Sequence, residues 1–152
     1  MNLTHIRAED LEYPVLFIQK GGFDVWSHSG SARSVVDLLQ SRRQDTTDGI
    51  GLLVDCQGRS YNVVDAEDAL VQNGRYLSRD ERRRLTYTGI TLICEGETSS
   101  VSVDEARRRI AWIVSARGHF ESATGFGLPT GFSSADSVAE LLQVMVTAGF
   151  RR

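Results

Sequence analysis

The chain has few side chains of the types and spacing that catalysis requires. Its three histidines have no second His or Cys at metal-ligand spacing, so the sequence predicts no metal site. Nucleophilic chemistry could use a Cys–His pair, and the available pairs are Cys56 or Cys94 with His28 or His119. No nucleophile motif surrounds either cysteine, and the glycine-rich residues 125–127 are too few for a phosphate-binding loop. The sequence therefore predicts no catalytic residue and no cofactor.

The two cysteines are predicted to be free thiols. Cys94 ends the apolar run 89–94, where a small buried residue is expected, whereas Cys56 falls in a predicted turn. A disulfide would require their Cα atoms to lie within about 7 Å of each other. A cytosolic setting disfavours such a bond.

Acidic residues gather around the two ends of a predicted central hairpin. Carboxylates in such a group could form an acid pair or hold a metal ion, but surface carboxylates more often stay solvated or recognise a basic partner. The sequence therefore predicts a partner-binding surface rather than a catalytic one. Its members are Asp45, Asp48, Asp55, Asp65, Glu67 and Asp68.

Trp26 is a further candidate contact residue. It falls on the opposite face of its predicted strand from Phe23 and Val25. Either the sheet is covered on both sides and Trp26 belongs to the core, or Trp26 is exposed and could anchor an interface. Trp112 lies next to the apolar stripe of a later helix and is predicted to be half-buried.

Composition indicates one folded domain over residues 1–152. The apolar fraction of 41% and the charged fraction of 24% are those of a globular protein. A net charge of −3 argues against general nucleic-acid binding. No stretch approaches the roughly 20 apolar residues of a membrane span, and the first ten residues lack the apolar core of a signal peptide. A soluble cytoplasmic protein is predicted.

Hydrophobic periodicity predicts an α+β fold, with a mainly antiparallel sheet of about five strands built from two hairpins and packed with three or four helices. The helices are expected against one face of the sheet. Residues 96–100 and 118–131 are predicted loops. The predicted strands are residues 14–20, 23–28, 50–56, 59–65 and 89–95, and the predicted helices begin near residues 32, 79, 103 and 133.

Local signals fix several boundaries of these elements. Gly21 and Gly22 favour a tight hairpin turn. In the turn 55–58, Asp55 can bond its own backbone and Gly58 can take a positive φ. Ser and Glu three residues apart form predicted capping boxes at 78–81 and 102–105. Arginines 107–109 lie largely off the apolar stripe of their helix, which predicts that they are solvated.

Two motifs carry a resemblance to a known family. One is a Gly-x-Phe-x-Val hairpin followed by a helix, and the other is a Leu-x-Asp-x-x-Gly-x-x-Tyr-x-Val hairpin. Together they make residues 14–64 similar to small immunity proteins of bacterial toxin systems, including contact-dependent growth inhibition and related polymorphic toxins. The residues concerned are Gly22, Phe23 and Val25, then Leu53, Asp55, Gly58, Tyr61 and Val63.

This resemblance implies a cytoplasmic protein that binds one cognate toxin domain, often a nuclease, and blocks its active site without a cofactor. Two other functions remain open. The chain could be a non-catalytic adaptor or a homo-oligomeric interaction domain, which leaves both monomer and homodimer possible. It could also be a small enzyme that depends on a Cys–His pair.

Overall fold

Ten strands and four α-helices are present in the part of the chain that the structure, a computed structural model, describes: residues 2–19, 22–41, 50–116, 121–122, 125–126 and 128–150. The strands are β1 (Leu3–Arg7), β2 (Val15–Gln19), β3 (Gly22–Trp26), β4 (Gly51–Val54), β5 (Arg59–Asp68), β6 (Val71–Gln72), β7 (Arg75–Tyr76), β8 (Ile90–Ser100), β9 (Glu121–Ser122) and β10 (Gly125–Phe126). The helices are α1 (Arg33–Ser41), α2 (Arg79–Arg82), α3 (Val103–Ala116) and α4 (Val138–Thr147).

The main sheet has six strands in the order β1-β8-β5-β4-β2-β3, and every neighbouring pair is antiparallel. The α+β fold class is confirmed, with one more strand than the five predicted. The extra strand is β1, whose residues are mostly exposed and give no alternating apolar signal. It forms an edge of the sheet by pairing with β8.

Two predicted loops contain strands. Residues 96–100 continue β8, because this long strand pairs with β5 as far as Ser100. The described part of the predicted loop over 118–131 contains the short pair β9 and β10. In both places, backbone pairing to a neighbour outweighed a composition rich in glycine and polar residues.

Helices cover both faces of the sheet, so the prediction of helices on one face is wrong. On one face, α3 and α4 pack over Leu16 and Val25. On the other face, α1 packs over Phe17 and Leu53. Consecutive residues of β2, including Leu16 and Phe17, are fully buried, and such a run requires cover on both sides.

Trp26 is core, which corrects the prediction that it contacts a partner. Its side chain is 0% exposed and lies in the cluster beneath α1. Its ring centroid is 5.0 Å from that of Phe17, with the two rings tilted by 33°. A residue on the face of β3 opposite Phe23 is buried here because α1 occupies that side of the sheet.

The turn between β4 and β5 forms as predicted. Asp55 Oδ1 accepts hydrogen bonds from the backbone N–H of Gln57 (3.0 Å) and of Arg59 (2.9 Å). Gly58 has a φ of +84°, and its carbonyl accepts from the N–H of Val101. The Asp55 side chain is 1% exposed and pairs with the Arg59 Nε at 3.0 Å. Asp55 is therefore a structural group of the turn and not a surface acid.

Caps define the ends of the helices. Ser78 and Glu81 form the predicted capping box of α2, and Ser102 accepts from the N–H of Glu105 at the start of α3. Helix α4 begins at Val138 rather than near residue 133, because its N-cap is Ser137. It ends at Thr147, and Gly149 serves as the predicted stop: φ there is +96°, and the N–H groups of residues 149 and 150 bond back to the last turn.

Replacing Gly58 by alanine should destabilise the protein more than replacing Gly74. Both glycines have positive φ, +84° and +78°. A Cβ at Gly58 would lie 2.6 Å from the Val101 carbonyl oxygen, whereas one at Gly74 meets nothing within 4 Å. We expect Gly74→Ala to cost roughly 1 kcal/mol and Gly58→Ala about 1–3 kcal/mol more. Urea unfolding measures both, and equal losses would show that the Val101 contact is unimportant.

Candidate functional site

An open groove of about 550 Å³ lies between α1 and the last part of β5. We call it the acidic groove. Its walls combine carboxylates with apolar side chains from α1 and β6. The lining residues are Val36, Leu39, Asp65, Ala66, Glu67, Asp68, Ala69, Val71 and Gln72.

A bulge in β5 decides which residues face α1. Val63 pairs with Cys94 of β8 and Asp65 with Ile93, so one extra residue is inserted in β5 between these two pairs. Strict alternation from Val63 would turn positions 65 and 67 towards α1. Instead, Ala66 packs into the cluster beneath α1, as Val63 does. Asp65 and Glu67 are exposed in consequence.

Asp68 fixes α1 to the end of β5. Its side chain is 1% exposed, and its Oδ2 lies 2.7 Å from Nη1 of Arg33 on α1. Its Oδ1 accepts from the N–H of Leu70 at 3.0 Å. The close contact with the Asp68 carboxylate raises the pKa of the Arg33 guanidinium. Asp68 is therefore a buried structural carboxylate, which corrects the prediction of a surface contact.

The predicted acidic surface is only partly assembled. Asp65 and Glu67 stand exposed at the rim of the groove, and neither forms an ion pair within the described residues. Asp55 lies in the turn at the other end of β5, roughly 20–25 Å along the strand from Asp65 and Glu67. Asp45 and Asp48 lie outside the described residues.

Tyr76 also lies beside the groove, at a place that the sequence did not indicate. Asn73 and Gly74 both have positive φ and join β6 to β7 in a tight hairpin. This hairpin pairs Tyr76 with Val71 of the groove wall and leaves Tyr76 69% exposed. Tyr76 is also close enough to Arg33 to contribute to its raised pKa. The Asn-Gly pair, a strong signal for a two-residue hairpin, could have revealed this element.

Neither cysteine has the lowered thiol pKa that is typical of a nucleophilic cysteine. Burial raises the pKa of the Cys94 thiol to about 11. Burial, followed by the charges of Glu12 and Asp55, raises the pKa of Cys56. Both thiols are free and protonated at neutral pH, whereas the attacking species would be the thiolate.

Of the two candidate histidine partners, His28 has a structural role. His28 accepts a hydrogen bond through Nδ1 from the N–H of Gly30, which caps the 3-10 turn before α1. His119 lies outside the described residues. Within the described part of the chain, no three His, Cys, Asp or Glu side chains are grouped to hold a metal ion. In the same residues, no helix combines the length and apolarity needed to cross a bilayer.

Comparisons with known protein families, with curated proteins and with solved structures found no match.

Removing the Arg33 guanidinium should destabilise the protein more than removing that of Arg75. Arg33→Met leaves the buried Asp68 carboxylate without its cation, which we expect to cost roughly 1–3 kcal/mol. Arg75 pairs with Glu81 on the surface, so Arg75→Met should cost less than about 0.5 kcal/mol. In urea unfolding, Arg33→Met/Asp68→Leu should recover part of the first loss. Equal effects of the two single changes would contradict this role of Asp68.

Stability should fall as the pH rises from about 9 to about 11, because Cys94 has an ordinary pKa of 9.0 when unfolded and about 11 when folded. In that window the folded state holds a proton that the unfolded state has lost, so raising the pH favours unfolding, by about 2 kcal/mol in total. Cys94→Ala should flatten this part of the curve of unfolding free energy against pH. An unchanged slope in the variant would refute the assignment.

Proposed function

We propose that this chain is a non-catalytic binding protein that neutralises a cognate bacterial toxin domain by covering its active site, with the acidic groove as the contact surface. The proposal rests on the side chains at the rim of the groove. Asp65 and Glu67 are exposed there, without an ion pair among the described residues, directly beside apolar Val36, Leu39 and Val71.

The charges of the groove suit a basic partner. Toxin domains that cut nucleic acid need a cationic cleft to hold the phosphate backbone. Exposed carboxylates opposite such a cleft speed association and discriminate against wrong partners. Asp68 adds little to this field, since Arg33 neutralises it. The attraction therefore depends on Asp65 and Glu67.

The apolar walls supply a surface that can be dehydrated. Interfaces gain most of their binding energy from a few well-packed side chains, with tyrosine prominent among them. Tyr76 is exposed beside Val71, and Leu39 continues the wall on the α1 side. A basic side chain could lay its methylene groups on these walls and its charge against the rim.

The frame of the groove is rigid enough to bind without large rearrangement. The Arg33–Asp68 ion pair joins α1 to β5, and the N–H of Ala69 bonds to the carbonyl of Gly89 next to β8. A preformed surface loses little conformational entropy on binding.

The resemblance to immunity proteins supports a toxin as the partner, and it supports a cytoplasmic location, where such a toxin would act. A tagged protein should capture the partner from the native cell extract. The expected product is a stoichiometric C-terminal fragment of a large secreted protein whose activity the bound chain suppresses. Recovery of the chain alone would favour a homo-oligomer instead.

Charge reversal at the rim should weaken binding of the captured domain. We expect Asp65→Lys/Glu67→Lys to lower the affinity by about 10-fold or more, chiefly through slower association at low salt. Asp80→Lys/Asp136→Lys is the matched control, because it makes the same change in net charge at exposed positions outside the groove lining. Both doubles should unfold at nearly the wild-type temperature. Equal affinities of the two doubles would exclude the groove as the contact surface.

A further inference from the structure

A second surface lies on the opposite side of the sheet, where Trp112 projects from α3. This side chain is 70% exposed, contrary to the prediction that it is half-buried. The helix buries Ala106, Ile110 and Ile113 against the sheet, and position 112 falls outside that stripe. A solvent-exposed tryptophan on a helix is an unusual use of a large apolar side chain.

Trp112 borders an open groove of about 590 Å³, which we call the Trp112 groove. Its apolar part is formed by Ile18 of β2 with Ile113 and Trp112 of α3. Three charged side chains of the same helix line the rest of the groove: Glu105, Arg108 and Arg109. They are three or four residues from each other or from Trp112, so all four side chains lie on one side of α3.

The three consecutive arginines of α3 have different roles. Arg107 is partly buried and donates to the carbonyls of Phe132 and Ala135, so it joins α3 to the segment before α4. This corrects the prediction that all three are solvated. Arg109 pairs with Glu105 at 3.2 Å. Arg108 is exposed and forms no ion pair within the described residues.

The Trp112 groove therefore carries one uncompensated positive charge on a chain whose net charge is −3. Glu105 is already satisfied by Arg109, which leaves the charge of Arg108 uncompensated next to an exposed aromatic ring. A surface of this kind is complementary to carboxylates placed around a large apolar side chain. It repels basic segments, which the acidic groove attracts.

The helix that carries Trp112 is firmly held. Ser102 caps its first turn, Arg107 fixes its outer side, and Ile110 is fully buried. The backbone of Trp112 is thus preorganised, so a partner would have to order little beyond the indole itself.

We propose that the Trp112 groove binds an acidic segment of a second protein, with one large apolar side chain of that segment against Trp112 and Ile18 and its carboxylates on Arg108. This goes beyond the proposed function, because the site is on the other face of the sheet from the acidic groove. One chain could then hold a basic and an acidic partner at the same time.

The test uses two synthetic peptides of the same length, each with a single phenylalanine, flanked in one by Asp and Glu and in the other by Lys. The full-length ¹⁵N-labelled protein has two indole N–H signals, from Trp26 and Trp112. We expect the acidic peptide to shift the Trp112 signal and to leave that of the buried Trp26 unchanged. Equal shifts with both peptides, or no shift at about 1 mM, would overturn the proposal.

Two variants make the result specific. Arg108→Glu should weaken binding of the acidic peptide at least 10-fold, and Trp112→Ala should abolish it, as read from the backbone amide signals of α3. The thermal midpoint of each variant should stay within about 2 °C of the wild type, since both residues are exposed. Asp65→Lys/Glu67→Lys should bind the acidic peptide as the wild type does, which separates this site from the acidic groove. A Trp112 signal that shifts with protein concentration alone would show that a second copy occupies the groove and would overturn the proposal.

Discussion

The constraint on which this structure depends is that the sheet must be covered on both faces. Val15, Leu16 and Phe17 follow one another along β2, and all three are fully buried. Side chains of a strand alternate between faces, so such a run cannot be satisfied by helices on one side. Helix α1 covers one face and helices α3 and α4 cover the other. Each helix then presents its remaining surface to solvent, and this is how the two grooves arise.

The two tryptophans show how this constraint decides which large side chains stay exposed. Trp26 is needed beneath α1, where it packs on Phe17, and it cannot meet a partner. Trp112 faces away from the core because the inner stripe of α3 is already filled by smaller residues such as Ile110. Trp112 and Tyr76 are therefore the candidate interface aromatics, because both side chains are exposed. Binding by this chain would use the outer surfaces of elements whose inner surfaces build the core.

The sequence predicted the features that depend on a few neighbouring residues. The turn at Asp55 and Gly58, the capping box at Ser78 and the stop after α4 at Gly149 are of this kind, and each forms as expected. Alternation also predicted four of the six strands of the main sheet, with small errors at their ends, and the core of a fifth, β8. These features need no knowledge of distant contacts.

The remaining features depend on contacts between distant segments. The exposed strand β1 exists only because β8 offers it an edge. The bulge in β5 reverses the alternation beyond Val63 and so separates exposed Asp65 and Glu67 from buried Asp68. Composition could not show which aspartate of residues 65–68 is exposed and which pairs with Arg33. The ion pair joins Arg33 and Asp68, which are 35 positions apart in the chain.

Hydrogen exchange of the free and the partner-bound protein would show whether the acidic groove is the binding surface. We expect slower exchange on binding at the backbone amides of β6, β7 and the second half of α1, with α3 unaffected by the basic partner. Protection confined to α3, or spread over the exposed edge of β1, would contradict it.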